Sequence, residues 1–101
     1  MQILNEETLR EIVVSSRFKK DYKKIKKRNL DIELFLSIVK SLANDIPLEE
    51  KHRDHQLKGL LKNFCECHVT PDWVLVYQKK DDGKLVLILN ATGSHAHVLD
   101  M

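Results

Sequence analysis

The chain has 101 residues, 43% of them apolar and 32% charged, which suits one compact domain over residues 1–101 with a single modest core. No unbroken apolar run approaches the roughly 20 residues needed to cross a bilayer, and the first 25 residues hold no signal-peptide core. The two cysteines, Cys65 and Cys67, would share one face of a strand with poor geometry for bridging each other, so no disulfide framework is indicated and the chain reads as soluble and intracellular.

Residues 1–9 fit either a short helical turn or a flexible lead-in, and no element is assigned there. Glu11-Ile12-Val13-Val14-Ser15 is short and β-branched, as a strand would be, and Ser15 or Ser16 can cap the helix that follows. The formal charge is only +2, yet eight of the twelve residues from Arg17 to Arg28 are Lys or Arg, against one acid, Asp21. In a helix, Phe18, Tyr22 and Ile25 form one apolar stripe, and Lys19, Lys20, Lys23, Lys24 and Lys27 share the remaining circumference. Such a face attracts RNA, DNA or an acidic protein surface. The competing reading is a solvated face that serves solubility alone. Asn29 or Asp31 caps a second helix, in which Leu34 or Phe35, Ile38, Val39 and Leu42 recur at helical spacing. That helix should stop near Asn44, because Pro47 disfavours helical geometry at Ile46.

The second half supplies a sheet. Phe64 to Thr70 alternates, with Phe64, Glu66 and His68 on one face and Cys65, Cys67 and Val69 on the other. Pro71-Asp72 is turn chemistry, Trp73 to Lys79 a strand, and Asp81-Asp82-Gly83 a hairpin connection. Leu85 to Ala91 is apolar on both faces, as a central strand is. The predicted order is β-α-α-β-β-β: an α+β fold with a mostly antiparallel sheet, a helical hairpin on one face and the other face free to bind.

All five histidines lie at or after residue 52. Imidazole changes charge near neutral pH, so a cluster of them suggests proton transfer; the competing reading is a scatter of surface and capping histidines. His55, His68, Asp72 and His95 fall on element ends or turns. His52 and His97 read as ordinary surface residues and Trp73 as core. Cys65-x-Cys67-His68 lacks the two separated ligand pairs of a structural zinc site, so no metal is expected.

Three pieces carry a family resemblance: Asp54-His55-Gln56-Leu57-Lys58-Gly59, then Cys67-His68-Val69-Thr70-Pro71-Asp72-Trp73-Val74-Leu75-Val76-Tyr77, then Thr92-Gly93-Ser94-His95. In this order, after a basic helical hairpin, the chain resembles the YafQ branch of the RelE-type bacterial toxins over about residues 10–99. The resemblance implies a microbial-RNase-like fold and the toxin half of a type II toxin–antitoxin system. It further implies a ribosome-dependent endoribonuclease that cuts mRNA in the bacterial cytoplasm without metal or cofactor. A cognate DinJ- or RelB-like antitoxin, small, acidic and partly disordered, would silence it.

Metal-free cleavage requires a base for the 2′-hydroxyl, an acid for the departing 5′-oxygen and positive charge near the phosphate. By resemblance His55 is the base and His95 the acid. His68 contacts phosphate or shuttles a proton, and Asp72 orients a histidine or shares the base role. Thr92-Gly93-Ser94 would be a tight turn presenting His95. The chain departs from the family where arginines usually stand, three residues before His68 and four before His95, since Cys65 and Ala91 occupy those positions; Leu99 replaces a C-terminal aromatic. Arg53, Lys58 and Lys62 are then the candidate phosphate cations. The departures support a second functional class, a binding module that keeps antitoxin and RNA or ribosome affinity with little nuclease activity.

Overall fold

The computed structural model describes residues 7–100, so the lead-in before Glu7 lies outside the described residues, and Glu7 to Arg10 form no helix or strand. Strand β1 (Glu11–Val14) alternates exposed and half-buried positions. Helix α1 (Ser16–Lys27) follows at once because the Ser15 hydroxyl accepts the Phe18 N–H at 2.9 Å. Asp31, and not Asn29, caps helix α2 (Ile32–Ala43), accepting the Leu34 N–H at 3.0 Å. Asn29 takes a left-handed φ of 56° in the link between the helices.

After α2 come a 3₁₀ turn (Glu50–His52), the two-residue strand β2 (His55–Gln56) and a second 3₁₀ turn (Gly59–Leu61). Strands β3 (Cys65–Thr70), β4 (Trp73–Lys80) and β5 (Val86–Gly93) and the short helix α3 (His95–Leu99) complete the chain. The sheet order is β1-β5-β4-β3-β2, antiparallel throughout except for β1, which pairs parallel with β5 in the register Glu11↔Val86 to Val14↔Leu89.

One face of the sheet carries both long helices. Phe18, Tyr22, Ile25, Phe35, Ile38 and Leu42 pack on Cys67, Val69, Trp73, Leu75, Tyr77, Leu87 and Leu89. Phe35 stacks between Phe18 at 6.1 Å and Trp73 at 5.3 Å, and the Trp73 indole N–H donates to Thr92 Oγ1 at 2.8 Å, so Trp73 is core and not a platform for bases. The other face holds Val74, Val76 and Ala91, covered by Val98 of α3. That helix changes two expectations. The long helices do share one face, but α3 covers part of the other. Thr92 and Gly93 finish β5, and the Ser94 hydroxyl caps α3 by accepting the His97 N–H at 3.2 Å, in place of a free tight turn. A five-residue helix cannot stand alone, and its periodicity is too short to read.

Arg10 fastens the end of the sheet opposite that helix. It is 6% exposed, and its guanidinium donates to Asp45 Oδ1 and to Asp81 Oδ1, each at 2.7 Å. Arg10 first, then Lys79, holds the Asp45 carboxyl down at about 2, against 3.8 for the free group. A depressed carboxyl contributes stability that is fully present above about pH 4 and is lost as the pH falls toward about 2. The Asp45 side chain is 37% exposed, so water screens the pair and the effect is modest. Asp45→Asn is therefore expected to flatten the fall in Tm between about pH 4 and pH 2. Thermal melts across that range test this, and parallel curves for parent and variant would disprove it.

Candidate active site

Glu66 is the centre of the histidine cluster. It points from β3 to the face opposite the long helices, as the alternation requires, and is 1% exposed. A carboxylate buried in a sheet is costly unless it is compensated, and three imidazoles approach it. His55 Nε2 stands 3.6 Å from Oε1, His68 Nε2 3.9 Å from Oε1, and His95 Nδ1 2.8 Å from Oε2. The His95 ring lies off the line of a hydrogen bond, so Oε2 is close to a ring nitrogen yet makes no hydrogen bond. The side chains of His68, His55 and His95 are 19%, 48% and 57% exposed, which makes Glu66 the floor and the histidine edges the part a ligand can reach. The His68 and His95 rings are nearly parallel, 6.4 Å apart.

Local backbone geometry sets the proton on His55. Arg53 closes the 3₁₀ turn with a left-handed φ of 45°, and its carbonyl accepts from His55 Nδ1 at 2.6 Å. A carbonyl only accepts, so Nδ1 carries a proton, and in its neutral form the ring has its lone pair on Nε2, the nitrogen nearest Glu66. This is the tautomer a base needs. The Tyr77 hydroxyl donates to Asp54 Oδ1 and ties this loop to β4.

Two histidines read as ordinary surface residues are not that. His52 is 6% exposed, and its Nδ1 donates to the His68 carbonyl at 2.7 Å, pinning β3 to the 3₁₀ turn. His97 is half-exposed, with Nε2 2.8 Å from Oδ1 of Asp21, which is 5% exposed. Asp72 stands apart, exposed in the β3–β4 turn and with no hydrogen bond or ion pair to a described residue. The carboxylate beside the histidines is Glu66. Two signals for these acids were present in the sequence: Glu66 shares its strand face with His68, and Asp21 falls at i+3 from Phe18, inside the apolar stripe of α1.

The cysteine thiols offer no nucleophile. Burial, first among several causes, pushes both Cys65 and Cys67 up from the ordinary thiol range. Among the described residues, no group of three His, Cys, Asp or Glu side chains is arranged to hold a metal ion. Cys65 packs against the helix-bearing core, opposite Glu66 and His68, and Ala91 is wholly buried with Val74, Val76 and Val98. Cys65 is thus on the face away from the histidine cluster, whereas Ala91 is on the cluster's own face, two strands from Glu66 in the register Glu66↔Val76↔Ala91 and covered by Val98. Lys19, Lys20, Lys23, Lys24, Lys27, Arg53, Lys58 and Lys62 are all exposed. No described helix is long and apolar enough to cross a membrane.

Residues 10–100 match the family described as the bacterial toxin of type II toxin–antitoxin system, YafQ. The mRNA interferase toxin YafQ of Escherichia coli K12 is 35% identical over 88 residues, 86% of this chain and 92% of that one. The toxin in the crystal structure of the E. coli DinJ–YafQ toxin–antitoxin complex superposes with a TM-score of 0.78 at 34% identity, over 89% of this chain and 97% of that one. A metal-bound toxin from Helicobacter pylori gives 0.80 at 43% identity, over 87% of this chain and 97% of that one. With a family match over nearly its whole length and relatives this similar in sequence and fold, the chain belongs to the YafQ family of bacterial toxins of type II toxin–antitoxin systems.

Proposed function

We propose that this toxin is an mRNA interferase, a ribosome-dependent endoribonuclease of the bacterial cytoplasm that is silenced by a DinJ-like antitoxin. The observation that carries the chemistry is the approach of His55, His68 and His95 to one buried carboxylate, with His55 already in the tautomer of a base. His55 Nε2 takes the 2′-hydroxyl proton, and the freed oxygen attacks the adjacent phosphorus. His95 gives a proton to the departing 5′-oxygen, leaving a 2′,3′-cyclic phosphate. His68 contacts the phosphate, Glu66 holds the rings, and Asp72, unpaired at the rim, acts only on groups that the RNA brings. Arg53, Lys58 and Lys62 supply positive charge, and the lysines of α1 extend the electrostatic footprint on polyanions.

The test is cleavage of ribosome-bound mRNA by purified, antitoxin-free protein. Cleavage that persists in a strong chelator and leaves 2′,3′-cyclic or 3′-phosphate ends is expected. The H. pylori relative is metal-bound in its crystal structure, so the chelator arm is decisive: loss of activity there overturns the assignment. Cys65 and Ala91, neither of which brings a cation to the phosphate, favour a second reading, a binding module with little nuclease activity. The same assay separates the two, because the binding module would associate with antitoxin and ribosome while leaving the mRNA intact.

A further inference from the structure

Helix α3 is clasped on two sides by buried carboxylates from different parts of the fold. His95 reaches Glu66 of β3 at 2.8 Å, and His97 reaches Asp21 of α1 at 2.8 Å. Residues two apart in a helix point to nearly opposite sides, so the two contacts act on the helix like hands on either side of an axle. Val98, with half-buried Leu99 beside it, packs on Val74, Val76 and Ala91 and holds α3 against the sheet, while the two histidine contacts act at its flanks. We infer that His97 and Asp21 are positioning residues for the reaction: their hydrogen bond sets the rotation of α3 and thereby aims the His95 ring.

Four observations support this. Asp21 is fully engaged: Oδ2 accepts the Thr92 N–H at 3.1 Å, Oδ1 faces His97 Nε2, and Arg17 Nε stands 3.8 Å away. It is therefore fixed to α1 and to the end of β5 before it meets α3. A carboxylate accepts, so His97 donates through Nε2–H. Arg17 also donates to the His97 carbonyl at 2.5 Å, so α1 grips this residue by backbone and side chain together. Finally, a Cβ at residue 93 would come within 3.0 Å of His97 Cδ2, and Gly93 has φ of 147°, so the glycine before the helix leaves the space that the His97 ring occupies. The charged groups facing the pair come from α1 and its C-terminal cap: Arg17 in contact, and Lys24 and Arg28 lining a cavity of about 270 Å³ beside it.

The inference rests on the proposed acid role of His95, and its test separates the two. His97→Ala removes the donor; His97→Gln keeps an N–H in nearly the same place. On ribosome-bound mRNA, His97→Ala is expected to lower kcat about 10- to 100-fold, with KM within about twofold, since an ångström of misplacement costs up to about 100-fold. His97→Gln should return to within about threefold of the parent. A merely structural role would lower the amount of folded protein without splitting kcat from KM. An unchanged rate in His97→Ala, or a His97→Gln variant as slow as His97→Ala, overturns the inference. Should the parent cut no mRNA, the acid role of His95 fails by itself, and the brace is then decided by NMR of the ¹⁵N-labelled imidazoles. His95 ring signals that move in His97→Ala and return in His97→Gln support it; His95 signals identical in all three proteins overturn it.

Discussion

Replacing His95 with alanine is expected to lower mRNA cleavage by about 100- to 10,000-fold, the usual contribution of one general acid. The side chain is 57% exposed, so little apolar burial is lost and the protein should still fold. His55→Ala should fall by a similar factor, and the double variant by little more than either alone, since residues acting as one unit are not additive. The parent should show a bell-shaped pH profile, and each single variant should lose one limb. Single-turnover cleavage from about pH 5 to pH 9 measures all of this. Two variants that each retain parental rates, with circular dichroism unchanged, would remove both histidines from the mechanism.

Much of the fold was legible because its signals are local. The caps are legible to a choice of two, Ser15 or Ser16 and Asn29 or Asp31, the Phe18-Tyr22-Ile25 stripe is legible as a buried face, and the alternation of Phe64 to Thr70 as a strand. The parts that were not legible depend on distant contacts. Strand β2 is two residues long and exists only because His55 and Gln56 find Glu66 and Cys65. Helix α3 exists because Val98 finds the valines of β4. The histidines proposed for catalysis are singled out by motif order, which says which residue types recur together but not which acid they surround. Alternation gives the strand face of Glu66 but not its burial, since nothing local says that a strand glutamate will be buried. The burial of His52 and the partner of His97 are not legible for the same reason, as each residue bonds to an element remote in the chain.

The missing family arginines also acquire a physical meaning. A guanidinium at position 91 would have to displace the packing of Val74, Val76 and Val98, and one at 65 would start from the helix-bearing side of the sheet. Under the proposed mechanism, phosphate charge would then fall to Arg53, Lys58 and Lys62, all exposed. A lysine is a point charge lacking the two-pronged geometry of arginine, which makes the predicted nuclease slower than arginine-bearing relatives.

Glu66→Gln separates charge from shape at the floor of the site. Two effects oppose each other. Removing a carboxylate that is 1% exposed and has one oxygen without a hydrogen bond relieves desolvation, which favours the folded state. The same change deprives three imidazoles of their common anion, and the new amide N–H can bond to the Nε2 lone pair of His55, occupying the nitrogen that must take the proton. Stability and rate should therefore move in different directions. Tm is expected to hold or rise, while cleavage falls at least about 100-fold, within the range found where a carboxylate fixes a catalytic histidine. Glu66→Asp should keep the charge but withdraw it by one methylene, giving an intermediate rate. A Glu66→Gln protein with a lowered Tm and an unchanged rate would make Glu66 a purely structural residue, and the histidines would then need another source of orientation.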